Sequence, residues 1–446
     1  MVDLCVFRRQ GVGLVTPQTL AALDRRLSDF LHELVAPLGR SERRIWARKY
    51  LEGLLLDGER KSIEPMAARV GADVQALRQF TGQSPWAVEE VQRALARKAV
   101  DTLSEPQVWM IDETSFPKAG AASVGVARQY CGALGKLANC QVAVSLHFSS
   151  AEMSCPLSWR LYLPAAWLED PARKAAGKIP AELTHRTKNE LALELIDQAL
   201  SWELPRLPVV ADSAYGNDCA WRAALRERGL EYAVAVEPST KVWTSDPNLV
   251  ELPPPKARGR PRQRPARESL PAARDLGQVA RALPAAAWRT LTWRHGRKGP
   301  MASRLAKVPV WAAHRLAGPQ RPAPAREWLL IEWPQGAPAP TDYWLCQLEG
   351  VETGLRRLIR LARARWRVEL DYRELKEELG LDHYEGRGWL GWHHHVTLVS
   401  MAFCFLRCEQ ARAKKNFWCD AAPDPPEAAS GAHPTLGPLP MVPDPL

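Results

Sequence analysis

The chain has 446 residues, of which 46% are apolar and 25% charged, and its net charge is +10. These proportions are typical of a folded, water-soluble protein, and they exclude a collagen-like or fully disordered chain. The length predicts about three domains. The positive charge favours an anionic partner, of which nucleic acid is the simplest.

The nine cysteines are odd in number and form no C-x-x-C pair. Cys404 and Cys408 lie one helical turn apart, without a second pair at zinc-finger spacing. We therefore expect reduced thiols, as in an intracellular protein. The first 13 residues lack the apolar core of a signal peptide, and no apolar run reaches the roughly 18 residues of a membrane span. The sequence predicts a cytoplasmic protein without a membrane segment.

The N-terminal residues, 1–101, are predicted to form an all-helical domain, because leucines recur there at helical spacing. Ser62 and Gly71 predict the start and end of a short helix, and Asp73 predicts the cap of a second helix that reaches Phe80. This outline fits a DNA-binding helix-turn-helix and equally fits any small helical bundle.

Residues 102–236 alternate short apolar strands with amphipathic helices, which predicts a mixed α/β sheet. Two of the strands run directly into an acid, Asp112 and Asp212. Residues 237–340 break this pattern with scattered prolines and strand-like segments, so we expect a strand-rich, basic insertion. The α/β pattern resumes over 341–412. The last segment, 413–446, is rich in Pro, Ala and Gly and is expected to be disordered.

A helical stretch near the C-terminus places Arg365, Glu369, Tyr372 and Lys376 within about 60° of one another on one face. Taken alone, this face indicates a solvated helix with ion pairs between successive turns. Beside two strand-end acids, however, Glu369 is a third carboxylate. Three carboxylates suit Mg²⁺ or Mn²⁺, and two such ions activate the nucleophile and stabilise the leaving oxygen in phosphodiester displacement.

Three segments carry a family resemblance: DETSFPK at 112–118, VADSAYG at 210–216 and RWRVELDYRELK at 365–376. With them the chain resembles bacterial insertion-sequence transposases of the DDE class, whose catalytic domain is RNase H-like. Arg365, Glu369 and Lys376 match the signature Y-x₂-R-x₃-E-x₆-K of this group. Ala362 stands at the signature's Tyr position, and Tyr372 is interpreted as a partial substitute on the same helix face.

The resemblance implies that Asp112, Asp212 and Glu369 are the catalytic, metal-binding acids, with Mg²⁺ as cofactor and Mn²⁺ able to replace it. It implies that Arg365 and Lys376 contact DNA phosphates, and Tyr372 on the same helix face is predicted to belong to the DNA-binding residues with them. The expected activity is cleavage of insertion-element ends and transfer of the 3′-hydroxyl to target DNA. The expected partners are the terminal inverted repeats, the target DNA and a second copy of the chain in a synaptic homodimer at the bacterial nucleoid.

The insertion contains a basic run in which Arg258, Arg260 and Arg262 resemble an AT-hook, a short arm that enters the minor groove of A·T-rich DNA. A solvated basic loop explains the same run. Two other functions stay open: a transposase-derived protein that binds DNA without cutting it, and an RNase H-like nuclease that cuts without joining.

Two further patterns have simple interpretations. His393, His394 and His395 point about 100° apart on a helix, so they cannot easily share one metal ion, and we expect packing or DNA contact. Glu374 lies about 140° round the helix from Glu369 and is expected to miss the same site.

Overall fold

The structure, a computed structural model, describes residues 16–102, 106–150, 153–247, 272–296, 299–313, 325–348 and 354–420. The described residues up to Cys408 belong to one structural unit, and those from Glu409 onward belong to a second. The predicted minor-groove arm with Arg258, Arg260 and Arg262 lies outside the described residues.

Five α-helices precede the sheet within the described residues, as the leucine spacing predicted. Gly71 ends the third helix with φ +58°, which a residue without a Cβ adopts at little cost. Asp73 caps the fourth, because its Oδ1 accepts the amide of Ala76 at 2.6 Å. The helices are α1 (Pro17–Leu34), α2 (Ser41–Leu55), α3 (Ile63–Val70), α4 (Val74–Gly82) and α5 (Val88–Thr102).

The N-terminal helices pack on the last helix of the chain through side chains that lie before residue 409. The Tyr50 hydroxyl is 2.8 Å from Nδ1 of His395, and the rings of Phe30 and Phe405 are 5.4 Å apart. All four side chains are buried. The predicted helical segment is thus joined to the rest of the unit by a shared core.

One mixed sheet organises the structure, with the strand order β2-β3-β1-β5-β6-β12-β11-β10-β7-β8 and with β4 on β3 and β9 on β10. Strand β5 runs parallel to β1 and β6, whereas the other pairs are antiparallel. The mixed sheet with flanking helices is consistent with the expected RNase H-like fold. The first six strands are β1 (Pro106–Pro117), β2 (Ala127–Cys131), β3 (Lys136–Ser150), β4 (Ser154–Leu161), β5 (Val209–Ala211) and β6 (Tyr232–Ala235).

The predicted insertion adds its strands to the same sheet. It includes one helix that the sequence analysis did not predict, whose Leu276 and Val279 pack against Leu329 and Ile331 of the sheet. Its elements, with the strand that follows it, are β7 (Lys241–Trp243), β8 (Arg274–Asp275), α11 (Leu276–Ala282), β9 (Arg289–Gly296), β10 (Gly299–Ala312), β11 (Arg326–Pro334) and β12 (Asp342–Gln347).

The remaining helices connect the strands or cover the sheet. They are α6 (Ala165–Glu169), α7 (Pro171–Ala176), α8 (Lys188–Ser201), α9 (Ser213–Gly216), α10 (Cys219–Glu227), α12 (Leu355–Ala364), α13 (Trp366–Glu377) and α14 (Trp389–Asp420).

Two of these helices cover opposite faces of the sheet. Neighbouring residues of a strand point to opposite faces. Arg365, just before α13, bonds Asp112, and Lys188 of α8 bonds Glu113. Helices α13 and α8 therefore lie on opposite faces of the sheet.

The C-terminal segment differs from its prediction. Disorder is predicted over 413–446, but α14 continues to Asp420, because Ala413, Lys414 and Lys415 have high helix propensity and no Gly or Pro interrupts the sequence before Asp420. Residues 421–446 lie outside the described residues. None of the helices within the described ranges has the length and apolar character needed to span a bilayer. Seven cysteines are free thiols in this structure: Cys131, Cys140, Cys155, Cys219, Cys346, Cys404 and Cys408.

Candidate active site

The register of two neighbouring strands brings Asp112 and Asp212 side by side. Met110 of β1 is directly beside Val210 of β5 in a parallel pair. Each aspartate lies two residues further along its own strand direction, so both occupy equivalent positions on strands about 4.8 Å apart. Asp212 follows the end of β5 as predicted, but the predicted strand end at Asp112 is wrong, because β1 stays paired with β3 as far as Pro117.

Asp212 begins a short helix at the end of β5. Its Oδ1 accepts the amide of Ala214 at 3.0 Å, which fixes one carboxylate oxygen as the cap of α9. Gly216 lets α9 approach β6 closely, because a Cβ at this position would collide with the carbonyl oxygen of Ala235. Oδ2 of Asp212 makes no hydrogen bond within the described residues and is available to a ligand.

Arg365 connects Glu369 to Asp112 through its guanidinium group. The helical stretch of 355–377 is split at this residue, so Arg365 lies between α12 and α13. Its Nη1 donates to Oδ2 of Asp112 at 2.8 Å, and its Nη2 donates to Oε1 of Glu369 at 2.9 Å. The resemblance assigned Arg365 to DNA phosphates, but in this structure its guanidinium binds two of the predicted catalytic acids. The ordinary i,i+4 ion pair is therefore present.

The electrostatics of this cluster show that all three acids act on the same guanidinium. Burial raises the pKa of Asp112 to about 7, the charge of Arg365 lowers it, and the charge of Asp212 raises it again. Burial lowers the pKa of Arg365, but Asp112, Glu369 and Asp212 together raise it above its ordinary value. Asp112 is 7% exposed, whereas the side chain of Glu369 is 61% exposed. The cluster is therefore open to solvent on the side of Glu369.

The donor set fits a hard divalent cation by type. Three carboxylates offer only oxygen ligands, which Mg²⁺ and Mn²⁺ prefer. A buried carboxyl whose pKa is raised to about 7 would be held ionised by such a cation. In the present arrangement no three His, Cys, Asp or Glu side chains within the described ranges converge closely enough to hold one ion. Arg365 supplies the positive charge between Asp112 and Glu369 instead.

Two of the predicted DNA-binding side chains have partners within the protein. Tyr372 is 8% exposed and its hydroxyl is 2.7 Å from Oγ of Ser145, so it faces the sheet. The reason is that Tyr372 lies beside the apolar edge formed by Val368 and Leu375, which is buried. Lys376 donates to the carbonyl oxygen of Ser115 at 2.9 Å, and burial lowers its pKa.

The rival acids lie away from the cluster. Glu374 bonds Arg407 at 2.8 Å and points away from Glu369, as the helical angle predicted. Glu113 is bound at 2.7 Å by Lys188 on the other face of the sheet. Its Oε2 is buried without a hydrogen-bond partner among the described residues.

The three consecutive histidines serve packing. His394 stacks on Trp86 with ring centroids 3.6 Å apart, and His395 bonds Tyr50. Burial lowers the pKa of His393 to about 3, of His394 to about 4 and of His395 to about 3. They point in separate directions as expected, and of the two open interpretations the structure favours packing over DNA contact.

Sequence reasoning missed one polar group next to the cluster. Ser145 lies directly opposite Asp112 in the β1–β3 pair, and it bonds His147, which in turn bonds Asp371 of α13. The only sequence signal was the strand alternation, which puts Ser145 and His147 on one face. The partner residue is 224 positions away from His147, so no local pattern indicates it.

Comparison with known proteins agrees with this geometry. A curated protein from Microchaete diplosiphon, named "Probable transposase for insertion sequence element IS701", is 34% identical over 194 residues. The alignment covers 43% of this chain and 48% of that protein, so the chain spans about half the length of this relative. The family described as DDE superfamily endonuclease matches residues 33–300, which include Asp112 and Asp212 and end before Glu369. Since this match covers more than half of the chain, the chain belongs to the DDE superfamily endonucleases.

Proposed function

We propose that the protein is a DNA transposase that cuts insertion-element ends and joins them to target DNA at the cluster of Asp112, Asp212 and Glu369. The single observation that carries this proposal is the bridge from Arg365 to Asp112 and Glu369, with Asp212 in register beside Asp112. Asp112 and Asp212 are 100 positions apart in the chain, and Asp212 and Glu369 are 157 positions apart. All three nevertheless interact with the guanidinium of Arg365.

Each residue of the site has a separate proposed role. Asp112, Asp212 and Glu369 would hold Mg²⁺, or Mn²⁺ in its place, in the expected two-cation arrangement. Mg²⁺ would polarise the scissile phosphate and make an attacking water or 3′-hydroxyl more nucleophilic. Arg365 balances the charge of the acids before the cation enters, and its guanidinium would bind a DNA phosphate after it leaves them.

The proposed substrate of this site is DNA. The terminal inverted repeats of an insertion element and the target DNA are the proposed DNA partners, and two copies of the chain would hold two element ends together. The net charge of +10 and the family match support a polyanionic substrate. The named relative, a transposase of an insertion sequence, supports the joining step.

The test is strand cleavage and joining on DNA that carries the terminal repeats of the element, with Mg²⁺ present. We expect the wild type to yield nicked and joined products. Asp112→Asn, Asp212→Asn and Glu369→Gln should each lose cleavage by more than the roughly 10–100-fold cost of removing an outer-shell partner, because each removes a ligand. Binding of the end DNA should persist in all three.

Glu377→Gln is the matched control, because Glu377 is an exposed acid on the same helix. It should cleave like the wild type. Wild-type activity in any of the three carboxylate variants would contradict the site assignment. Binding of end DNA without Mg²⁺-dependent cleavage would instead identify a DNA-binding protein, and cleavage without joined products would identify a nuclease.

A further inference from the structure

A continuous chain of buried polar side chains lies behind the carboxylate cluster. Oδ2 of Asp371 is 2.9 Å from Nδ1 of His147, and Nε2 of His147 is 2.9 Å from Oγ of Ser145. Oγ of Ser145 is in turn 2.7 Å from the hydroxyl of Tyr372. None of the four residues is more than 8% exposed. Such a network is costly to bury unless every member is satisfied.

The hydrogen atoms of this chain can all be placed in one direction. Tyr372 donates to Ser145, Ser145 donates to Nε2 of His147, and Nδ1 of His147 donates to Asp371. Asp371 also accepts the Ser154 hydroxyl at 2.7 Å and the Arg407 guanidinium at 3.4 Å. The carboxylate of Asp371 is therefore the fixed end of the network, held from strand β4 and from helix α14.

The other end of the network touches the candidate active site. Ser145 of β3 is the direct partner of Asp112 of β1, and directly opposite residues in an antiparallel pair point to the same face. Tyr372 lies three residues after Glu369, close to it on the surface of α13. The hydrogen bond from Tyr372 to Ser145 therefore ties the helix that carries Glu369 to the strand that neighbours Asp112.

The Ser145–His147–Asp371 series has the connectivity of a hydrolytic triad, but its burial excludes that role. Ser145 and His147 are both 0% exposed, and the hydroxyl of Ser145 is already engaged by Tyr372. No substrate can reach this oxygen without unfolding the sheet. The same burial makes the series a rigid support, because rotation of α13 would break the bonds of both Asp371 and Tyr372.

We propose that Tyr372, Ser145, His147 and Asp371 are positioning residues that set the placement of Glu369 relative to Asp112, and that they thereby set the affinity of the acid cluster for a divalent cation. The inference rests on the proposed function of the three acids. Outer-shell hydrogen bonds of this kind orient metal ligands, and their loss costs about 10–100-fold in metal affinity. The network thus determines how well the cluster binds a cation without contacting the cation itself.

The experiment compares Tyr372→Phe and Ser145→Ala with the wild type in two assays. Without DNA, the Mn²⁺ concentration for half-saturation, followed by the electron paramagnetic resonance of free Mn²⁺, should rise about 10-fold in each variant. With end DNA, the Mg²⁺ concentration for half-maximal cleavage should rise by a similar factor, the maximal rate should return at saturating Mg²⁺, and DNA affinity should not change.

Ser158→Ala is the matched control, because Ser158 is as buried as Ser145 but its hydroxyl has no hydrogen-bond partner within the described residues. It should bind Mn²⁺ like the wild type. If Tyr372→Phe and Ser145→Ala lower the free energy of unfolding but bind Mn²⁺ like Ser158→Ala, the role is structural and the inference is overturned. A wild type that neither binds Mn²⁺ nor cleaves would overturn the proposed function itself. If one variant does not fold, the other decides.

Discussion

Two arginine–carboxylate clusters in this protein have the same chemistry but different surroundings. Arg222 of α10 gives two hydrogen bonds to Glu327 of β11, at 2.7 and 3.2 Å, and one to the carbonyl oxygen of Gly216. The side chains of Arg222 and Glu327 are 2% and 1% exposed, and Tyr232 donates to the same glutamate. Arg365 instead divides its guanidinium between Asp112 and Glu369, and the latter is largely exposed.

The difference separates a structural ion pair from a binding site. Around Glu327 one carboxylate is paired with Arg222 and, at 4.0 Å, with Arg226, so its negative charge is fully balanced. At Arg365 one cation interacts with three carboxylates, so negative charge is in excess, and burial, with a smaller contribution from the charge of Asp212, raises the pKa of Asp112 to about 7. An excess of negative charge that opens to solvent is what a cation-binding site requires.

The largest expected effect concerns the buried ion pair of Arg222 and Glu327. Glu327→Gln leaves Arg222 buried without its counter-charge, and such losses cost about 3–5 kcal/mol of unfolding free energy. Urea denaturation followed by tryptophan fluorescence measures this cost. Cleavage per folded molecule should stay that of the wild type, since the pair does not touch the acid cluster. Exposed ion pairs contribute at most about 1 kcal/mol to the unfolding free energy. A smaller cost for Glu327→Gln would therefore show that burial does not distinguish this pair from exposed ones.

The second-largest expected effect is the pH dependence of cation binding at the cluster of Asp112, Asp212 and Glu369 around Arg365. Asp112 is neutral below its pKa of about 7 and ionised above it. Because a cation binds the ionised form, affinity for Mn²⁺ should rise by up to about tenfold per pH unit below pH 7 and level off above it. Titrations with Mn²⁺ between pH 5.5 and 8.5, a window of roughly 1.5 units on either side of that pKa, measure it.

Arg365→Gln sharpens the same test. Arg365 lowers the pKa of Asp112, so its removal should move the midpoint of the pH dependence upward. A midpoint that stays in place would show that Arg365 does not act on Asp112 in solution.

The raised pKa also has a stability consequence. The folded protein keeps the Asp112 proton up to about pH 7, whereas the unfolded chain loses it near its ordinary value of 3.8. The contribution of this group to the unfolding free energy therefore falls as pH rises from about 4 to about 7. Asp112→Asn should remove that fall, and urea denaturation across this range checks it.

The smallest effect tests an exposed pair of ideal geometry. Arg228 binds Asp197 through two hydrogen bonds of 2.6 and 2.7 Å, but the side chain of Asp197 is 50% exposed. Asp197→Asn should cost about 0.2–1 kcal/mol, because solvent screens the pair. Urea denaturation at low and at high salt measures the cost. A loss as large as that of Glu327→Gln would show that geometry, not burial, decides the strength of these pairs.

Much of the fold followed from local chemistry. The cap at Asp73 and the glycine at Gly71 depend on backbone hydrogen bonds within a few residues, so sequence spacing was sufficient to place the helices around them. The position of Asp212 after β5 followed from an apolar run that ends in an acid, whereas the run before Asp112 did not mark a strand end, because pairing with β3 extends β1 to Pro117. The predicted start of the disordered tail at 413 differs from the structure, in which the last described helix continues to Asp420.

The sequence by itself determined which acids are present, which elements carry them and how Glu369 is oriented on its helix, because those features depend on local periodicity. Only the tertiary structure decided their surroundings. It decided that Arg365 binds the acids, that Tyr372 turns inward to Ser145, and that His147 meets Asp371 across 224 positions. These contacts depend on strand register and helix packing between distant segments, and burial then fixes the pKa of Asp112, which no local pattern contains.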